Sequence, residues 1–342
     1  MISYYILKYI NVVVNLYDYI KESLLDDEDD VFGSSEDYMK TDVKKFLETY
    51  YRCSEGFEIS DSTNGDGKFV VDSNDDVYAS KLDMNSLSNE YFVWGKIDGN
   101  FNCNFSKITS LEGAPEVVSG DFNCNMCRKL TSLKGAPKEV GGKFECIRCD
   151  SLTSLEGAPK KVGKQFNCWG CPNLTSLKGS PEKCEHFNCS NCDKLTSLEG
   201  APKECRDFNC SGCGSLKILK GAPNAKGEFD CSRCRSLLFL KDGPSNKCKD
   251  FLCVDCISLV SLEHSPKVVT GSYNCSGCIK IPSLVGAPKK VGKNFKCAYC
   301  NELKSLEGAP EKVGGDFLCP SNFTEKDVDE YCEVKGRKQA IY

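Results

Sequence analysis

One aromatic residue returns along this chain at intervals of 21 or 22 residues: Phe101, Phe122, Phe144, Phe166, Phe187, Phe208, Phe229, Phe251, Tyr273, Phe295 and Phe317. A unit of that length cannot bury its own apolar side chains, so a period in this range dictates a solenoid in which each coil is stabilised by its neighbours. Function in such a chain is read from surfaces.

One coil shows what repeats. In Val140-Gly-Gly-Lys-Phe144-Glu-Cys146-Ile-Arg-Cys149, Phe144 and Cys146 stand two apart, which on a strand puts both inward and leaves Glu145 and Ile147 outward. Leu152 and Leu155 follow, then Gly157-Ala158-Pro159, a turn whose Pro fixes φ. The spacing predicts one short strand and an irregular return per coil, the strands stacked in parallel about 4.8 Å apart. With about six inward side chains per coil, each contributing roughly 1.5–3 kcal/mol against a backbone ordering cost of roughly 1–2 kcal/mol per residue, an isolated unit is unstable.

Charge divides the chain. Residues 1–99 carry 21 acidic and 9 basic side chains, whereas residues 100–342 carry 28 and 35. The expected organisation is an acidic α+β N-terminal domain over 1–90, the solenoid over 91–320 in about ten units, and a C-terminal cap over 321–342. Polar positions at Tyr4, Lys8, Asn11, Asn15, Asp18 and Glu22 have helical spacing, so an amphipathic helix is expected over 2–25. That helix packs on its own domain or meets a membrane surface or partner. The acidic run Asp26-Asp27-Glu28-Asp29-Asp30 reads as a solvated linker, and 38–52 as a short helix. Asn64-Gly65-Asp66-Gly67 between Phe57-Glu58-Ile59 and Lys68-Phe69-Val70-Val71 reads as a hairpin turn. The spacing Asp61, Asn64, Asp66 does not match a calcium loop. Part of 77–99 should cap the first coil, with Ile97 in the Val140 position. Thr324 and Asp327 mark a helix start near the other end.

Twenty-five cysteines are present, nine pairs of them as C-x-x-C. Adjacent pairs suit a zinc site in principle. The first unit, however, has Ser106 where the second Cys should stand, and the last has Asn322. A position that accepts Cys, Ser or Asn needs a small hydrogen-bonding side chain, and the first Cys packs as a small hydrophobe. Cys184, Cys205 and Cys248 take the place of Val140. The expectation is ladders of buried thiols, with metal in some coils and disulfides as the weaker alternatives. The start MISYYILKYINVVVNLYDYI has no basic residue before Lys8 and no small-residue cleavage site, and is too interrupted to span a bilayer. A cytoplasmic location with reduced thiols follows as an expectation.

Cys184-x-x-Phe187-x-Cys189-x-x-Cys192 and Cys205-x-x-Phe208-x-Cys210-x-x-Cys213 follow, almost residue by residue, the L-x-x-L-x-L-x-x-N/C strand pattern. Over about residues 97–320 the chain resembles the leucine-rich-repeat family. Its runs LTSLKGS at 174–180 and LTSLEGAPKEC at 195–205 resemble the short-repeat members of bacterial effectors and, more closely, of tailed bacteriophages and large DNA viruses. The resemblance implies an α/β repeat fold with a parallel sheet on a concave face, a binding role, and, if the protein is viral, the host cytoplasm. The unit beginning at Phe229 departs most, with Leu238-Phe239-Leu240 and Asp242-Gly243-Pro244.

No acid-base pair or nucleophile is identifiable around the two histidines. His186 stands in a column with Asp121, Lys143, Asp207, Asp250 and Asp316, and His264 in a turn that replaces Gly-Ala-Pro. The chain is therefore expected to be no enzyme and to carry no cofactor. Its leading function is a protein-binding scaffold directed at a host or viral protein through the concave face of the solenoid; the alternatives are a structural virion or assembly component and nucleic-acid binding through the Lys-rich returns, Lys160-Lys161, Lys289-Lys290 and Lys293. Lysines dispersed without interleaved aromatics are more often a solubilising surface than a nucleic-acid groove. Ile147 and Trp169 break a column of small residues three after the aromatic, Phe105 and Met126 stand one residue further along in the two preceding coils, and Arg148 lies beside them; with His186 these are the candidate binding residues. The other expectation for this end of the sheet is that the N-terminal domain covers it.

Overall fold

Stacking the 22-residue coils places each aromatic ring over the last, and the column continues unbroken. In a computed structural model, which describes residues 35–53, 56–61, 68–79, 86–89, 91–244 and 246–341, ring centroids from Phe101 to Phe317 lie 5.0 to 5.6 Å apart. The strands carrying them form a 13-stranded sheet that runs from Val77–Tyr78 to Lys338–Ile341. Its pairs are parallel and in register, Phe on Phe, as in Phe122↔Phe144 and Phe144↔Phe166.

The return is not irregular, as the spacing predicted. Most coils make a second short strand around the Val140 position, and these pair in parallel too: Val118↔Val140, Val140↔Val162 and, further on, Val269↔Val291↔Val313, while Lys183 joins its neighbours only by single bridges. In some coils the approach is closest one residue beyond the Val, at Gly141 and Gly163. A Cβ at Gly163 would lie 2.0 Å from the carbonyl oxygen of Gly141. The architecture is a parallel β-solenoid of about 12 turns with few helices.

Six columns fill the coil. Val162, Phe166, Cys168, Cys171, Leu174 and Leu177 are each at most 4% exposed, and the same positions are buried in neighbouring coils. The turn Gly is fixed by two constraints. Gly135 has φ +85, and a Cβ there would stand 2.4 Å from Glu112 Cα. Asp242 and His264 occupy the same turn position with φ 65 and 70, which marks those two coils as departures.

The first coils are covered by Val43, Phe46 and Leu47 of α1 (Ser35–Tyr50) and by a hairpin. Strands β1 (Glu58–Asp61) and β2 (Phe69–Ser73) pair antiparallel, as the flanking sequence predicts, with the turn itself outside the described residues. After β3 (Val77–Tyr78) comes β4 (Phe92–Ile97), which pairs in parallel with β2 and carries the ladder on to Val117–Val118. From α1, Val43 and Leu47 are buried, with Tyr51 just beyond it. Trp94 meets Phe101 edge-on at 5.6 Å and starts the aromatic column. The expected helix over 2–25 and the acidic linker lie outside the described residues. At the far end Thr324 caps α2 (Glu325–Asp329) through a reciprocal capping box with Asp327. Glu333–Val334 and Lys338–Ile341 then extend both ladders. The chain divides into two units, 1–42 and 43–342.

Candidate binding face

Beyond the aromatic, each strand ends in a turn that the sequence repeats. The residue after the aromatic is mostly Asn, and its side-chain oxygen accepts the amide two residues on: Asn167 from Trp169 at 3.1 Å, Asn188 from Ser190 at 3.0 Å, Asn209 from Ser211 at 2.8 Å. This bend throws the fourth residue into the left-handed region. Gly170, Gly212, Gly277, Asn191 and Asp255 suit that conformation, yet Phe105, Met126, Arg148, Arg233 and Tyr299 share it with φ 53 to 60. Large side chains held at positive φ at a surface are where strain accompanies function.

The candidate residues form a staircase across these turns. Phe105 N–H donates to Asn125 O, Met126 N–H to Ile147 O, and Arg148 N–H to Trp169 O at 2.9 Å. The Arg148 guanidinium carbon lies 4.7 Å from the centroid of the Trp169 ring, inside the range of a cation–π contact. Phe105 is 57% exposed, Arg148 is exposed, and Met126, Ile147 and Trp169 are half-buried, outside the core columns. The fold brings these five together. His186 is elsewhere, one residue before its aromatic, with Nδ1 at 2.7 Å from Asp207 Oδ2. His264 is exposed in its turn.

The column of His186 has a structural task that charge counting missed. Asp121 accepts the amide of Lys143 at 2.7 Å, Asp207 that of Glu228 at 2.7 Å, Asp250 that of Ser272 at 2.7 Å and Asp316 that of Arg337 at 2.9 Å. Asn100 and Asn294 do the same. These side chains sew each coil to the next, so the acidity of this face is partly scaffold. The signal was in the sequence, as Asp or Asn recurring at one phase of the repeat. Where the acids crowd, burial first and then Asp230, Asp207 and Asp250 push the Glu228 carboxyl up.

The thiols are wired in the same way. In all nine C-x-x-C pairs the second Sγ donates to the carbonyl of the first Cys position one coil earlier, from Cys127 to Cys103 O at 3.2 Å through Cys300 to Cys275 O at 3.3 Å. Ser106, in the first coil, donates to Cys103 O of its own coil at 2.8 Å and lies 3.2 Å from Cys127 Sγ. Burial holds the thiols of Cys124, Cys189 and Cys297 well above their ordinary value and pushes Cys184, Cys205 and Cys248 up to about 12. Twenty-four of the cysteines are buried and all 25 are free, with Cys53 half-buried. Among the described residues no group of three or more His, Cys, Asp or Glu is arranged to hold a metal ion.

On the returns, lysines alternate with glutamates one coil away: Lys138 with Glu116 at 2.8 Å, Lys161 with Glu139 at 2.6 Å, Lys178 with Glu156 at 2.6 Å, Lys226 with Glu204 at 3.1 Å. Among the described residues no helix is long and apolar enough to cross a membrane. Comparison with protein-family models, with curated proteins and with solved structures finds no match.

Proposed function

We propose that this chain is a non-catalytic scaffold that binds a protein through the outer face of its aromatic-column sheet, anchored at Phe105, Met126, Ile147, Arg148 and Trp169. The observation that carries the reading is the Arg148–Trp169 stack, 4.7 Å from cation to ring, held at a backbone conformation that Arg does not favour. Tryptophan and arginine in a partly apolar cluster are the residue types in which binding energy concentrates. His186, bound to Asp207, lies at the opposite edge of the strands.

The reading takes each coil as a short leucine-rich-repeat-like unit, of the kind phages and large DNA viruses carry, working in a reducing cytoplasm; 24 buried free thiols support that compartment. The ion-paired lysines of the returns argue against the nucleic-acid alternative, since their charge is answered within the ladder. The test uses the full chain and its Trp169→Ala variant as baits in extract of the source cell. A protein retained by the first and lost from the second is expected. Equal retention by both, or capture of RNA alone, rejects the proposal.

A further inference from the structure

Among the described residues, two buried side-chain polar atoms lack a hydrogen-bond partner: Tyr51 OH and Trp94 Nε1. Both belong to one contact. Tyr51, just beyond α1, is 1% exposed and meets Trp94 edge-on, ring centroids 5.0 Å apart, with Phe46 and Phe92 beside it. Farther along, the aromatic column avoids the problem, by using Phe or by giving Tyr273 a hydroxyl partner in Ser265. A phenol O–H and an indole N–H stranded in an apolar contact both gain from reaching water, so this contact carries a cost that the coils do not. Ionisation gives no relief, because burial, with Cys103 second, holds the Tyr51 phenol well above its ordinary value.

Residues 43–52 rest on the first edge of the aromatic-column sheet, with Val43, Leu47 and Tyr51 buried. Arg52 N–H donates to Tyr78 O at 3.1 Å and Tyr78 N–H to Arg52 O at 2.9 Å. This is an antiparallel bridge at the end of a ladder whose strands otherwise pair in parallel, as in Val77↔Phe101. The hold of β3 on the first coil does not depend on it, since Val77 N–H donates to Asn100 O at 2.7 Å and Ala79 N–H to Asn102 O at 2.6 Å. Just past the bridge, Cys53 Sγ stands 3.2 Å from Ser73 Oγ of β2, where the chain rejoins the hairpin. An edge whose N–H and C=O are free pairs with any extended strand that reaches it, so residues 43–52 decide whether this end of the sheet is closed.

We infer that residues 43–52 form a displaceable strap, which lifts as a unit while the coils stay folded, hydrating Tyr51 OH and Trp94 Nε1 and baring the N–H and C=O of Tyr78. The test is native-state hydrogen exchange on the full chain, resolved by residue. The amides of Leu47, Tyr51 and Tyr78 should exchange together, through one opening, well ahead of coil amides such as Cys210 N–H, which is bonded to Asp230 O at 2.8 Å. Tyr51→Phe keeps the ring and removes the stranded hydroxyl, so exchange at all three positions should slow about fivefold or more. Leu47→Ala should speed exchange at Tyr51 and Tyr78 at least about tenfold and leave Cys210 exchange and the urea midpoint of the coils unchanged. Exchange of the three amides only in step with Cys210 overturns the inference, because the segment then opens only when the coils unfold. So does a Tyr51→Phe variant whose exchange is unchanged or faster, and so does a Leu47→Ala variant that lowers the urea midpoint of the coils.

Discussion

Tyr273 is the one tyrosine in the aromatic column, and its coil brings its own compensation. The hydroxyl is fully buried, 2.8 Å from Ser265 Oγ, in the His264-Ser265-Pro266 turn where other coils have Gly-Ala-Pro. Ser265 Oγ also donates to Leu262 O at 2.6 Å, which spends its one proton and makes Tyr273 the donor between the two hydroxyls. Ser265→Ala therefore strands a buried O–H and should cost about 1–3 kcal/mol. Tyr273→Phe removes the donor while Ser265 keeps Leu262 O, so its cost should be about 1 kcal/mol or less. The double variant restores the Ala and Phe that neighbouring coils pair, as in Ala287 and Phe295, and should be near neutral. A double-mutant cycle by equilibrium urea unfolding should thus show a coupling energy of about 1–2 kcal/mol. Equal losses for the two single variants, adding up in the double, would refute the hydrogen-bond assignment.

Three other outcomes follow from the packing. Leu198→Ala, at 0% exposure in mid-array, should cost about 2–5 kcal/mol in the same assay; a loss below about 1 kcal/mol would remove it from the core. Gly135→Ala should cost about 1–3 kcal/mol from its φ of +85 alone, with the contact to Glu112 adding to it, while Asp242→Gly at the equivalent turn should be neutral or stabilising. In native protein a thiol reagent should label Cys53 first, the other 24 reacting only on unfolding, and elemental analysis should find well under one zinc per chain; stoichiometric zinc or fast multiple labelling contradicts the thiol ladder.

Much of this fold was legible because a solenoid writes its core as a period. Phe144, Cys146, Cys149, Leu152 and Leu155 are inward as the spacing required, and Ser106 in place of Cys pointed to the hydrogen-bond ladder. The second ladder was not legible, because two residues such as Glu139–Val140 carry no strand periodicity and their pairing depends on the neighbouring coil. The candidate face was read as a cluster, but not its cause. The left-handed column was visible as Gly170, Asn191, Gly212, Asp255 and Gly277, masked by the large residues that share it. The capping role of Asp121, Asp207, Asp250 and Asp316 was hidden by reading them as charges.

The binding claim is tested most directly at Trp169, which lies outside the core columns and touches Arg148 across the face. With the captured partner in hand, titration calorimetry on wild type and Trp169→Ala should show a loss of at least about 2 kcal/mol in affinity, with a stability change under about 1 kcal/mol. Unchanged affinity would contradict the account, as would a large loss of stability that disappears when residues 1–34 are deleted.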